Sequence, residues 1–258
     1  MTKTPIRLPV AATIAAAWRS VLSRPGAALR VAWMPAALIL ALRIGGQIGR
    51  AQEQGDFAAQ ISFTFILFAL MVLMLVAWQR MVLFGPDQRA GILPLRLGRA
   101  EVKALAHFPL VLVLLVPMQV LPLVDWLAKA PSPVGGGFSM WLPWIGFAIL
   151  IFPAGPWLAR ATLMIVGIAA AGSRGSESLA AAANRIWEAS TGNTMRIFLI
   201  LMGAGLPVAV VTELSGLLES RIFDFLPVLL TPLYILVVGG ALAHAYAGLG
   251  ALKSGGKT

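Results

Sequence analysis

Long, uncharged, apolar stretches alternate with short polar connections along the chain. No charged residue occurs between Lys129 and Arg160, and none occurs between Arg160 and Arg174. A helix needs about 20 apolar residues to cross the ~30 Å hydrocarbon core of a bilayer. The pattern therefore predicts an all-α membrane protein, a single polytopic domain over residues 1–258. Its six transmembrane helices are expected at about residues 28–48, 57–84, 106–124, 138–160, 196–214 and 226–249.

A shorter, two-faced segment precedes each odd-numbered span, and the first covers residues 9–23. Its apolar side chains recur at helical spacing and therefore share one helical face, whereas Thr13 and Ser20 are predicted to lie away from that face. The apolar residues are Val10, Ile14, Trp18, Val21 and Leu22. Pro25-Gly26 is expected to end this helix. The N-terminus resembles a cleaved signal peptide only loosely, because Trp18 follows its short apolar part.

The other two segments have the same character. Residues 86–105 contain a short basic helix in which Arg96, Arg99 and Lys103 share one face. Residues 176–190 are expected to form a helix with Arg185 and Glu188 on its polar side. Its apolar side consists of Leu179, Ala183, Ile186 and Trp187. Gly192 is a predicted C-terminal stop. Helices of this kind lie in the plane of a membrane surface, so we expect three interfacial amphipathic helices.

The distribution of basic residues orients the six spans. Of the 20 lysines and arginines, only Arg43, Arg50, Lys129 and Arg221 fall on the side opposite the N-terminus. Basic residues accumulate on the cytoplasmic side of bacterial membrane proteins. We therefore expect both termini and all three surface helices to be cytoplasmic.

A threefold pattern accompanies this topology. Each even-numbered span returns to the cytoplasm with a basic or titratable residue near its inner end, in the segments AWQRMVLFG, WLARATLMIVG and LAHAYAGLG. These segments place Arg80, Arg160 and His244 at similar positions. The pattern is consistent with a unit of surface helix, span and span repeated three times. The alternative is that basic residues gather at any inner span end.

Composition excludes several classes of protein. With 59% apolar and 12% charged residues, the chain does not fit the soluble class. The net charge of +10 is spread over span ends, without a basic stripe or aromatic stacking pattern, so nucleic acid is not an expected partner. The chain has no cysteine, which excludes disulfides and thiolate ligands. Its excess of arginine over lysine and abundant alanine are typical of a GC-rich bacterial genome.

Several segments together resemble a known family. The stretches AWRSVLSRPGAALRVAWMP, AWQRMVLFG and ANRIWEASTGNTMRIF are similar to those of bacterial inner-membrane proteins named after the membrane domain of glycerophosphodiester phosphodiesterase. The resemblance covers nearly the whole chain and implies an inner-membrane location. It implies no phosphodiesterase activity, since the soluble catalytic domain is missing and no acidic cluster accompanies His107 and His244 to hold a catalytic metal.

The residues most suited to a functional role are charged or aromatic side chains near the inner span ends. They are candidate contacts to lipid or to a protein partner: Arg80, Arg160, Arg185, Trp187 and His244. Snorkelling to the inner surface is the alternative for Arg80. If the fourth helix continues past Arg160, that residue lies too deep to snorkel, and we expect it to pair with Glu188 or a lipid phosphate.

The sequence contains no recognisable catalytic constellation. There is no G-x-S-x-G motif and no base placed beside a nucleophile. We expect no enzyme activity, cofactor or metal. The favoured interpretation is a non-enzymatic, multi-pass inner-membrane protein that binds lipid or a protein partner through its basic cytoplasmic face. The alternative is a small transporter or channel with a polar path near Arg160.

Overall fold

The computed structural model describes residues 7–52, 57–85, 102, 104–105, 142–171, 179–216 and 226–250. This part of the chain folds into seven helices and contains no strand, which confirms the all-α class. The helices are α1 (Val10–Leu22), α2 (Pro25–Gln52), α3 (Phe57–Phe84), α4 (Leu142–Ala171), α5 (Leu179–Ala189), α6 (Thr194–Gly216) and α7 (Leu226–Gly248). The predicted third span and the basic residues Arg96, Arg99 and Lys103 lie outside the described residues.

Helix α7 lies at the centre of the bundle. It contacts α1, α2, α3, α4 and α6, and almost every side chain from Tyr234 to Leu249 is buried. Gly239 and Gly240 let the neighbours approach closely: a Cβ at Gly239 would lie 2.8 Å from Leu75 Cδ1, and one at Gly240 would lie 3.2 Å from Trp78 Nε1. Small residues therefore allow one helix to pack against five others.

Helix α1 forms close to the predicted bounds, but its buried face differs from the predicted one. Thr13 and Ala17 are buried, whereas Leu22 is 68% exposed. The Thr13 hydroxyl donates to the Pro9 carbonyl at 2.8 Å, so its polar group is satisfied within the helix. Small side chains on this face let α1 pack closely against α6 and α7. The expected assignment of Thr13 to the polar side was wrong.

Two further boundaries differ from the sequence prediction. Pro25 begins α2, since a proline is tolerated in the first helical turn, where its missing N–H would have no partner in any case. Helix α4 continues past Arg160 to Ala171 rather than ending near residue 160.

Gly192 has a φ of +80°, which agrees with its predicted role in the stop after α5. The predicted spans at 57–84, 196–214 and 226–249 correspond closely to α3, α6 and α7.

Among the described residues, two helices contain stretches that are long and apolar enough to cross a bilayer. They are Thr194–Thr212 in α6, with 19 residues, and Leu229–Gly248 in α7, with 20 residues. The α6 stretch keeps an exposed apolar face along its length, whereas the α7 stretch is mostly enclosed by protein. These findings agree with membrane association but support only two of the six predicted spans.

The segment from α1 into α2 matches the segment from α5 into α6. The two segments share an Arg, a Gly and a second Arg at identical intervals. These residues are Arg19, Gly26 and Arg30 in the first segment and Arg185, Gly192 and Arg196 in the second, and alanines precede both sets. Side chains at matched positions also have similar exposure at the start of α2 and at the start of α6. Leu29 and Trp33 are 65% and 49% exposed, their counterparts Met195 and Leu199 are 50% and 47% exposed, and the intervening Val31 and Ile197 are buried.

Candidate functional site

Arg160 lies inside the fold, in the middle of α4. Its side chain is only 5% exposed. The Nε–H donates to Ser190 Oγ at 2.6 Å, and Nη2 donates to Thr191 Oγ1 at 2.8 Å and to the carbonyl oxygen of Trp187. All three acceptors belong to the C-terminal end of α5 or the turn after it. Arg160 therefore fixes α5 against α4.

The C-terminal end of α5 suits a cation. The last carbonyls of a helix lack intrahelical partners and carry about half a negative charge. The hydroxyls of Ser190 and Thr191 also donate to the Trp187 carbonyl, each at 3.1 Å. Gly192 then ends the helix with its positive φ. The helix dipole and three oxygen acceptors partly compensate the buried guanidinium charge.

Two tryptophans flank the guanidinium group. Arg160 Cζ lies 4.0 Å from the ring centroid of Trp187 and 5.9 Å from that of Trp157. The two rings are 5.9 Å apart and inclined by 30° to each other. Trp157 is 56% exposed and Trp187 is 40% exposed. We call Arg160, Trp157 and Trp187 the Arg–Trp cluster; it joins a buried charge to an exposed aromatic surface.

Of the two partners predicted for Arg160, Glu188 or a lipid phosphate, Glu188 is not the one that Arg160 contacts in the described part of the chain. Glu188 is exposed, and among the described residues the guanidinium hydrogen-bonds to the Trp187 carbonyl and the two hydroxyls instead. Trp187, another candidate contact from the sequence, lies next to Arg160, with its ring centroid 4.0 Å from Arg160 Cζ. The run STGN after α5 marked a turn in the sequence. The sequence could not show that Arg160 of α4 is the cation that binds at this turn.

A second set of contacts connects the same turn to the N-terminal segment. Asn193 is buried, and its Oδ1 accepts a hydrogen bond from the Leu8 backbone N–H at 2.9 Å. Arg196 Nη1 donates to the Leu8 carbonyl at 2.7 Å. Both backbone groups of Leu8 are thus bound by side chains from the start of α6. Sequence reasoning missed Asn193 and Arg196 in this role, because the contact joins distant parts of the chain.

His244 forms a smaller polar contact on the other side of α1. Its Nε2 lies 2.7 Å from Ser20 Oγ. Since the Ser20 hydroxyl donates to the Ala16 carbonyl at 2.8 Å, the Ser20 oxygen is left to accept from His244. This assigns the proton to Nε2. His244 therefore connects α7 to α1 and does not lie in the Arg–Trp cluster.

The remaining two candidates lie on helices other than α4, which carries Arg160. Arg80 on α3 and Arg185 on α5 are partly buried, and each has an interaction within the protein. Within the described parts of the seven helices, no group of three His, Asp or Glu side chains is placed to hold a metal ion.

Two polar side chains of α3 are buried without a hydrogen-bond partner in the described part of the chain. Gln79 is fully buried, and neither its Oε1 nor its Nε2 is paired. The neighbouring Trp78 is 1% exposed, and its Nε1 is likewise unpaired. Burying an unpaired amide costs about 1–3 kcal/mol by protein mutational data. These groups therefore need an explanation separate from the Arg–Trp cluster.

Comparison of the chain with protein-family models, with curated proteins and with solved structures found no match. The resemblance to the membrane-domain family rests on the sequence segments alone.

Proposed function

We propose that this protein is a non-enzymatic, multi-pass protein of a bacterial inner membrane that binds lipid or a protein partner at its basic cytoplasmic face. The proposal includes six spans with both termini in the cytoplasm, as the charge distribution predicts. It also includes membership of the family named after the glycerophosphodiester phosphodiesterase membrane domain, on the strength of the three quoted segments.

The exposed face of α6 is the observation that carries the proposal. Five large apolar side chains lie along it at spacings of a helical stripe, each at least 43% exposed: Met195, Leu199, Leu206, Val210 and Leu214. At 1.5 Å per residue the stripe is about 28 Å long, close to the thickness of a hydrocarbon core. A water-soluble surface rarely presents a continuous apolar patch of this length, whereas a lipid-facing helix requires one.

The Arg–Trp cluster lies toward the N-terminal end of this stripe. Gly155 of α4 packs against Phe198 of α6, where a Cβ would lie 2.7 Å from Phe198 Cε2. Trp157 and Arg160 follow Gly155 along α4, and Trp187 lies just before α6. Tryptophans concentrate at membrane–water interfaces. The position supports a cytoplasmic headgroup level near the start of α6, with α5 along the surface.

We also propose that surface helix and span recur as a repeated unit. The matched residues and matched exposure of α1–α2 and α5–α6 support at least two copies. In this interpretation Leu29 and Trp33 of α2 face lipid at the depth of Met195 and Leu199 on α6. The third copy would include the basic helix within residues 86–105 and the span predicted at about residues 106–124.

Lipid analysis tests the favoured function. The protein should be extracted into native-lipid nanodiscs, and the lipids that remain after exchange into detergent should be identified. We expect anionic phospholipids to be enriched relative to the bulk membrane, because the cytoplasmic face is basic. A retained lipid composition equal to the bulk, with no co-purifying protein, would contradict the proposal.

The buried, unpaired amide of Gln79 favours a second candidate function, a small transporter or channel. Inside a membrane bundle, a side chain that both donates and accepts can line a path for polar solutes. Stopped-flow light scattering of proteoliposomes would measure permeability to water and glycerol. A channel should exceed protein-free liposomes and lose that excess in Gln79→Leu. The favoured function predicts no excess, and a Gln79→Leu protein that is at least as stable as wild type.

A further inference from the structure

We propose that the Arg–Trp cluster binds one phosphate group, that of an anionic phospholipid headgroup at the cytoplasmic surface. The inference rests on the proposed function and names the lipid chemistry and the residues that recognise it. Nε and Nη2 of Arg160 already donate to α5 and its turn, so Nη1 is the part of the guanidinium left to meet the phosphate.

The site carries uncompensated positive charge. An arginine side chain keeps its charge at all physiological pH values. Among the described residues, its hydrogen-bond partners are one carbonyl and two hydroxyls, with no carboxylate. The C-terminal dipole of α5 offsets about half a charge. An anion at this position would compensate the rest.

Three groups of the cluster still have hydrogens to donate. Arg160 Nη1 has no hydrogen bond to the described chain, and the indole N–H groups of Trp157 and Trp187 have none either. The two tryptophans are 56% and 40% exposed, so their rings are accessible from outside. A phosphate diester offers two non-bridging oxygens that accept charge-assisted hydrogen bonds. The available donors thus suit one phosphate.

The ring contacts argue against a cationic ligand. Paired tryptophans often bind quaternary ammonium groups through their faces. Here the guanidinium carbon of Arg160 lies 4.0 Å from the Trp187 centroid, so a cation already occupies one face of that ring. A second cation beside it would be repelled. The cluster therefore selects the phosphate end of a headgroup over a choline end.

Neighbouring apolar side chains favour a lipid over free phosphate. Leu158, next to Trp157 on α4, is 40% exposed. Met195, at the start of the apolar stripe of α6, is 50% exposed. Acyl chains could contact both while the headgroup meets the cluster. Free inorganic phosphate would gain nothing from these contacts.

Native mass spectrometry of the detergent-solubilised protein would test the proposal. The protein should be titrated with dioleoyl-phosphatidylglycerol, with dioleoyl-phosphatidylcholine, and with the first lipid in excess inorganic phosphate. We expect the first phosphatidylglycerol to bind about tenfold more tightly than phosphatidylcholine, because both lipids carry the phosphate but only phosphatidylcholine carries an ammonium group that the Arg160 guanidinium repels. Excess inorganic phosphate should not displace it. Displacement by inorganic phosphate would overturn the assignment to a lipid.

The variant Trp157→Leu removes one wall and one donor while leaving the hydrogen bonds of Arg160 intact. Its matched control is Trp33→Leu, on the 49% exposed tryptophan of α2. We expect Trp157→Leu to weaken the binding of phosphatidylglycerol and Trp33→Leu to preserve it. Equal phosphatidylglycerol binding by these two variants would overturn the assignment of the Arg–Trp cluster as the phosphate site. If native-lipid enrichment persisted in both, the proposed function would stand and only this site would fail.

Discussion

Arg160 illustrates how a permanently charged side chain is accommodated inside an apolar helix bundle. Its charge is met by the C-terminal carbonyl of Trp187, by two hydroxyls and by an aromatic ring. The sequence showed that a charge interrupts a long apolar stretch and that such a charge needs a partner. It could not identify the partner, because hydroxyls and a backbone carbonyl carry no charge that would stand out in a sequence.

Arg160→Lys should destabilise the fold. Lysine retains the charge, but a single ammonium group cannot reach three acceptors in the planar geometry of a guanidinium. We expect a loss of about 1–3 kcal/mol, seen as a lower Tm in one fixed detergent–lipid mixture. Arg160→Leu should lose more, since it removes all three hydrogen bonds that join α4 to the end of α5 and its turn. The control is Arg30→Lys, on the exposed arginine of α2. Equal Tm values for the two lysine variants would refute the structural role of Arg160.

Asn193→Ala should release the segment before α1. The substitution removes the acceptor of the Leu8 N–H and leaves a buried donor unpaired, at a cost of about 1–3 kcal/mol. Hydrogen exchange at Leu8 should accelerate by an order of magnitude or more, while exchange in the middle of α7 stays slow. Asn184→Ala, on the exposed asparagine of α5, is the control. Unchanged exchange at Leu8 in the Asn193 variant would argue against the contact.

At the scale of whole helices, the sequence was most informative about long apolar segments. The uncharged stretches predicted α3, α6 and α7 closely, because helix length and composition are local properties. The buried face of α1 was predicted wrongly, since Thr13 satisfies its hydroxyl within the helix and then packs like a small apolar residue. The central position of α7 depends on contacts with five helices, which periodicity alone does not show.

Gly205→Ala should disrupt the packing of α6 on α7. A Cβ at Gly205 would lie 2.6 Å from Tyr234 Cε2, and Tyr234 is 1% exposed, so its ring has little room to move. Overpacking of this kind costs about 1–3 kcal/mol. Gly26→Ala is the matched control, because a Cβ there meets nothing within 4 Å. The expected result is a lower Tm for Gly205→Ala and an unchanged or slightly higher Tm for Gly26→Ala. A similar Tm for both proteins would contradict the packing.

At the scale of the whole molecule, the proposed membrane orientation rests on charge and on exposed apolar surface. Basic residues concentrate on one side of the predicted spans, and the outer face of α6 remains apolar along its length. The sequence predicted the first property because it needs only counting. The second needed the structure, since it depends on which side of α6 the other helices cover.

Reporter fusions provide a direct test of orientation. Fusions after Ala51, Lys129 and Arg221 should report the periplasm, and fusions after Gln88 and Gly175 should report the cytoplasm. The expectation follows from six spans with the basic side inward. Paired alkaline phosphatase and fluorescent-protein reporters would measure both locations. A reversed result at any two sites would exclude this topology.

The depth of the α6 stripe in a bilayer tests the central claim most directly. The chain has no cysteine, so single cysteines at Met195, Leu206 and Leu214 can carry spin labels without background. Their collision rates with oxygen and with a water-soluble nickel chelate measure depth, and labels at buried Ala204 and Val208 serve as controls. A lipid-facing α6 predicts strong oxygen contact that peaks at Leu206, with nickel contact rising toward both ends. Uniformly high nickel contact along the stripe would show that α6 faces water and would contradict the account.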